Sequence, residues 1–317
     1  MHALLLLAVL AAPAARAAEI GTYTTSYWDE TITDDAGDTI WFRLHYPAVG
    51  PDWGENADPS SGPFPLAVMI HGYMGQAWMY QTASDAIASM GFVVVNMDTE
   101  THAWMDPFAL ARYSQRSLQW VEQRSAEPGH WLEGMASDAP WTAMGHSMGG
   151  ISAARLVDLE PRVETVIGFS PYRDGDYHWD AYTEFDGAVM MLTGNEDATS
   201  PPDVVRAWFE DVDDPARGLF AVMHGTGHQA ITDIEFEEAE LSDAEQLAVS
   251  IELAAAFLEA QVFGDEGRYD TLLCSAPVSY DEQLSRGSVP ATSAEPESDT
   301  LLRVGVASGV GQVAVLY

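Results

Sequence analysis

A serine between glycines is the first place where this chain could do chemistry. Gly145-His146-Ser147-Met148-Gly149-Gly150 follows the apolar run Trp141 to Met144 and opens the small-residue segment that begins at Ile151. A serine held in a turn from strand to helix presents its Oγ outward only if the residues two before and two after it are small, and Gly145 and Gly149 meet that need. The helix start then favours negative charge, and the Met148 amide can donate to an oxyanion. A nucleophilic serine also needs a base and a carboxylate to orient it, and in this arrangement both follow it along the chain. Asp197 comes directly after the apolar run 188–192 and is the predicted acid, with adjacent Glu196 the competitor. His228 follows the run 219–223 in a glycine-flexible loop and is the predicted base. His224, at the end of that run, reads as a structural residue, because the two glycines between the histidines argue against a helical metal pair. A second oxyanion donor is expected from the loop His71-Gly72-Tyr73-Met74-Gly75, through the Tyr73 amide, with His71 bracing that loop.

These residues need a frame that delivers them to one place. Residues 40–46, 66–70, 92–95, 141–144, 165–169, 188–192 and 219–223 are short apolar runs without clean alternation, as expected of strands covered on both faces. Helix-like segments lie between them at 77–90, 107–125, 149–158, 203–211 and from Asp243 to Phe263, the last opening on a Ser-Asp cap. Strand and helix in alternation predict an α/β fold with a mostly parallel central sheet and helices on both faces. In such a sheet, functional residues sit at the carboxyl ends of the strands, where each candidate above is found.

Composition narrows the chemistry. The chain has 317 residues with 13 Lys+Arg against 49 Asp+Glu, a formal charge of −36, and every one of the 13 cations is arginine. The absence of lysine excludes Schiff-base chemistry, a Walker-A phosphate loop and Ser-Lys hydrolysis. The charge excludes nucleic acid as a partner and disfavours anionic membranes. It also matches salt-adapted proteins, although a GC-rich genome favours arginine equally. The acidic clusters read as solvated surface, and none matches an EF-hand loop.

Residues 3–12 form an apolar run of signal-peptide length, followed by Pro13 and the triplet Ala15-Arg16-Ala17. This predicts a cleaved signal over 1–17 and a secreted or periplasmic protein, a buried N-terminal helix being the alternative. The run is too short to span a bilayer, and no membrane insertion is expected. The hydrolytic domain is expected over 18–275. Residues 276–317 read as a Ser/Pro/Glu-rich linker and a short β-like tail. The single cysteine, Cys274, precludes an intrachain disulfide and reads as a buried filler.

Taken together, the loop at 71–75, the segment Ser89 to Glu100, the 145–150 turn, the acid loop Asn195 to Pro201 and Gly225 to Gln229 resemble the α/β-hydrolase branch of polyester hydrolases. That branch includes bacterial cutinase-like and PET-hydrolysing enzymes, with dienelactone hydrolases, chlorophyllases and platelet-activating-factor acetylhydrolases as relatives. The resemblance covers about Phe64 to Phe263. It implies a serine esterase with Ser147, Asp197 and His228 as triad, Tyr73 and Met148 as oxyanion donors, and no cofactor or metal. It further implies a pocket lined by the Tyr73 ring and a substrate-clamping Trp179, and His146 and Trp104 are expected to join the substrate groove. Ser147 argues against dienelactone hydrolysis, which uses cysteine. The expected reaction is hydrolysis of neutral hydrophobic esters, monomeric or polymeric, by a monomeric enzyme. A phospholipid acetylhydrolase-like or chlorophyllase-like esterase is the alternative, and a non-catalytic binding module the remote one.

Overall fold

The computed structural model describes residues 20–173, 182, 185–212, 218–234 and 239–269, together with the backbone of 304–307 and 312–316. Ten strands form one sheet: β1 (Thr25–Thr33), β2 (Thr39–Pro47), β3 (Leu66–Ile70), β4 (Val93–Met97), β5 (Trp141–His146), β6 (Val163–Phe169), β7 (Ala188–Gly194), β8 (Gly218–Met223), β9 (Val304–Ala307) and β10 (Gln312–Leu316). Their spatial order is β1-β2-β4-β3-β5-β6-β7-β8-β10-β9. From β4 through β10 every neighbour pair is parallel. The pairs β1–β2, β2–β4 and β10–β9 are antiparallel.

Five α-helices among the described residues cover the sheet: α1 (Gln81–Ser89), α2 (Pro107–Ser125), α3 (Met148–Leu159), α4 (Pro202–Phe209) and α5 (Asp243–Phe263). Successive strand side chains point to opposite faces, so each apolar run supplies two cores. Val68, Ile70, Val93 and Val95 pack with Leu110 and Leu118 of α2, Ile151 of α3 and Trp208 of α4. Ala67, Met69, Val94, Met190 and Leu192 pack instead with Ile87 of α1 and with Ile251, Leu253 and Phe257 of α5. Burial on both faces is the reason these strands lack alternation.

Two features depart from the expectations. β1 is an additional strand, whose polar residues lie on an antiparallel edge with one side to solvent. The helix expected from residue 77 begins as a 3-10 turn, Ala77–Tyr80, and becomes α-helical only at Gln81. By length and mean hydropathy (21 residues, 1.3), α5 is also apolar enough to cross a membrane. Its apolarity is used in the protein core, since Ile251, Leu253, Ala254, Phe257 and Leu258 are buried there. The tail contributes β9 and β10, and β10 pairs in parallel with β8. The predicted leader at 1–17, Cys274 and the predicted linker at 284–300 lie outside the described residues.

Candidate active site

β5 ends at His146 and α3 begins at Met148, which leaves Ser147 alone to make the turn at φ 52° and ψ −121°. A non-glycine residue held at positive φ is strained and needs surrounding structure to keep it there. The Ser147 N–H donates to the Phe169 carbonyl (3.0 Å), and the Ser147 carbonyl accepts from Tyr172 N–H (2.9 Å). Glycine is required on both sides for close approach. A Cβ at Gly145 would fall 2.2 Å from the Gly149 carbonyl oxygen, and one at Gly149 would fall 2.2 Å from that of Ile70.

β7 and β8 deliver the other two groups. His228 Nε2 is 2.9 Å from Ser147 Oγ, and its Nδ1 is 2.9 and 3.0 Å from the two Asp197 carboxylate oxygens. All three residues are buried. Asp197 Oδ1 also accepts from the amides of Thr199 (2.8 Å) and Ser200 (2.7 Å), and the Ser170 side chain hydrogen-bonds the carboxylate. Burial pushes the Asp197 pKa up, but the hydrogen bond and charge of His228, with the Ser200 and Ser170 bonds, outweigh it and leave the group below its ordinary value. Glu196, the adjacent competitor, is exposed.

Tyr73 lies in the turn closed by the Gly75 N–H to Gly72 carbonyl bond (2.9 Å). Met148 is the first residue of α3, where N–H groups have no intrahelical acceptor. Among the described residues neither amide has a recorded acceptor, so both are available to a bound oxyanion. His71 is fully buried between the carbonyls of Thr99 (2.7 Å) and Gly72 (2.8 Å) and braces this loop. Burial lowers its pKa.

A cavity of about 530 Å³ opens over Ser147. Tyr73, Met74, Met79 and Ile234 give it apolar walls, Thr199 and Gln229 add polar groups, and none of its described lining residues is cationic. Tyr73 is 54% exposed. His146 also lines it, but the ring is 2% exposed and both nitrogens are engaged by protein: Nδ1 with Tyr80 OH (2.8 Å) and Nε2 with the His228 carbonyl (2.9 Å). His146 thus lines the cavity, as expected, with both ring nitrogens already bonded to protein. Trp104 is 89% exposed and is not among the lining residues, because it sits in the loop after β4 outside the cavity. Trp179 lies outside the described residues. Three residues that the sequence did not single out enter the site: Tyr80, Ser170, which is at φ 43°, and Asp233, which bonds the start of α1. Ser170 was traceable in principle, since it follows directly after β6. Tyr80 and Asp233 carry no local signal. No group of three or more His, Cys, Asp or Glu placed to hold a metal ion occurs among the described residues.

A mixed sheet of this order, with helices on both faces and a strained serine at the β5–α3 turn, defines the α/β-hydrolase fold. Comparison with known families is more specific. The chain belongs to the PET hydrolase-like family, whose model matches residues 56–288. It is also 29% identical over 197 residues to the dihydrolipoyllysine-residue acetyltransferase component of the acetoin cleaving system of Cupriavidus necator, covering 56% of this chain and 45% of that protein. The chain thus matches less than half the length of that relative.

Proposed function

We propose that the chain is a serine carboxylic ester hydrolase acting through an acyl-enzyme on neutral, hydrophobic esters, polyesters among them. The observation that carries this reading is the unbroken line from Ser147 Oγ through His228 to Asp197, beside two amides without acceptors. A carboxylate only accepts, so the His228 proton sits on Nδ1 and the bare Nε2 faces the serine. His228 takes the Ser147 proton as Oγ attacks the ester carbonyl, and Asp197 stabilises the imidazolium. The oxyanion is held by the Tyr73 and Met148 amides, each donor contributing on the order of 3 kcal/mol. His228 then protonates the leaving alcohol, and water repeats the sequence on the acyl-enzyme to release the acid.

The cavity supports neutral substrates. Its walls are apolar and its described lining offers no cation to a phosphate, while a net charge of −36 repels anions at a distance. This favours simple esters over the phospholipid alternative. The reading includes export after removal of 1–17 and action as a monomer. The mass of the protein recovered from the medium and its elution volume test these points.

A panel from short-chain nitrophenyl esters to polycaprolactone and PET, with a short-acyl phospholipid as counter-substrate, tests the substrate class. Turnover of the neutral esters, its loss in Ser147→Ala and labelling of Ser147 by a fluorophosphonate are expected. Retained turnover in Ser147→Ala would sink the proposal.

A further inference from the structure

A buried polar chain runs between the loop that carries the oxyanion donor and the loop that carries the base. Tyr80 closes the 3-10 turn before α1 and is 1% exposed. Its hydroxyl accepts the Gly72 N–H (3.0 Å) and lies 2.8 Å from His146 Nδ1. On the far side of the ring, His146 Nε2 is 2.9 Å from the His228 carbonyl oxygen. The carbonyl can only accept, so Nε2 carries the ring proton. Nδ1 is then bare and accepts from the phenol, whose oxygen still has a lone pair for Gly72 N–H. Every donor meets an acceptor, in one direction only. The arrangement requires a neutral imidazole. Burial and then the neighbouring His228 lower the His146 pKa to about 3, so the ring stays neutral at working pH.

The ends of this chain are one residue or less from reacting groups. Gly72 precedes Tyr73, and its backbone is so close to the serine that a Cβ there would lie 3.0 Å from Ser147 Cβ. The other end is the backbone of His228 itself. The same turn is fastened to the base loop a second time: Asp233 Oδ2 accepts from Thr82 N–H (2.9 Å), and Asp233 N–H donates to the Met79 carbonyl (2.8 Å).

We propose that Tyr80 is a positioning residue: through His146 it holds the oxyanion loop and the base loop at one separation, so that donors and base meet the same carbonyl. This rests on the ester-hydrolase reading above. Neither Tyr80 nor His146 holds the Ser147 Oγ, His228 ring or Asp197 carboxylate by a hydrogen bond. Replacing the phenol by Phe strands the Gly72 N–H and His146 Nδ1 without their partner, and buried groups in that condition move to find another. A shift of a few tenths of an ångström between the loops weakens transition-state contacts more than substrate binding. The loss therefore falls on kcat, with KM little changed.

The test compares the parent with Tyr80→Phe, His146→Leu, their double variant and His146→Gln. Steady-state kinetics use a short-chain nitrophenyl ester well below each melting midpoint, with active sites counted by fluorophosphonate. Each of the first two should lower kcat per active site by roughly tenfold or more with KM within about twofold. The double variant should be no worse than about twice the weaker single one, because both interrupt one chain. His146→Gln keeps an N–H able to reach the His228 carbonyl and should be at least about fivefold faster than His146→Leu. Unchanged kcat per active site, losses that multiply, or a loss confined to KM would overturn the proposal. If Tyr80→Phe does not fold, the His146 pair decides alone, equal kcat in Leu and Gln overturning it. If the parent neither turns over the ester nor takes the probe, the ester-hydrolase reading itself fails and this inference falls with it.

Discussion

Asp197→Asn is a near-isosteric change whose outcome is dictated by two backbone amides. Thr199 and Ser200 both donate to Oδ1, at 2.8 and 2.7 Å. In the amide variant the remaining oxygen must occupy that position, because an NH₂ group there would face two donors. The NH₂ is thereby placed where Oδ2 now lies, 2.9 Å from His228 Nδ1. A donor in that place opposes a proton on Nδ1, although the retained oxygen also lies 3.0 Å from that nitrogen, and it favours the tautomer with the ring proton on Nε2, opposite the Ser147 hydroxyl. The Ser170 hydroxyl can accept as readily as donate, so it offers no resistance. The base then has no lone pair for the serine. A reversed tautomer in a triad lowers turnover by about 10⁴-fold, equivalent to roughly 5 kcal/mol of transition-state stabilisation. The assay is kcat/KM on a soluble nitrophenyl ester, corrected for active sites, with Glu196→Gln as the control. Glu196 is exposed and should change the rate by less than about twofold. Activity of Asp197→Asn within tenfold of the parent, or an equal loss in Glu196→Gln, would refute the argument.

Other consequences are open to measurement. Tyr73→Ala removes the aromatic wall but keeps the amide, so KM for aromatic esters should rise by about 5- to 20-fold with kcat within about threefold; a selective fall in kcat would contradict this. Gly149→Ala places a methyl against the Ile70 and His71 carbonyl oxygens at 2.2 and 2.6 Å, neither of which can rotate away. A loss of about 3 kcal/mol or more should follow, lowering the melting midpoint by roughly 10 °C, and an unchanged midpoint would count against the elbow geometry. The Asp197 pKa lies below its ordinary value of 3.8, so its contribution to stability is complete above about pH 4 and is lost as pH falls through the lower folded value. Melting midpoints from pH 6 to 2 should fall less steeply below pH 4 in Asp197→Asn than in the parent; parallel curves would refute the assignment. With 49 acidic against 13 basic residues, moving from about 0.1 to 2 M NaCl should raise the midpoint through screening, and no change would reduce the charge to a compositional bias.

The parallel strands were legible because burial on both faces writes itself into the chain as unbroken apolar runs. β1 was not, for the same physical reason turned round. Its Asp29, Glu30 and Thr31 belong to a strand exposed on one side, and only pairing with β2 across Thr25 to Pro47 and Thr33 to Thr39 makes them a strand. α5 was legible as a helix over Asp243–Phe263, but not in what covers it. A helix packed against β6, β7 and α1 collects enough apolar side chains to resemble a membrane span, and composition does not say whether lipid or protein covers them.

The site divides along a similar line. Ser147, Asp197 and His228 each come within a few residues of the end of an apolar strand, so local order was enough to find them. What surrounds them is joined across 31 to 151 positions: Asp197 to His228, Tyr80 to His146, His146 to the His228 carbonyl, Thr82 to Asp233. His146 shows the consequence most clearly. Its place in the motif puts it beside the nucleophile, which is why it read as a substrate contact. The two groups that occupy its nitrogens arrive from a 3-10 turn and from the loop after β8, and only the sheet brings them there. A motif thus marks where a side chain begins, while the direction in which its polar atoms act is set by neighbours the motif does not contain.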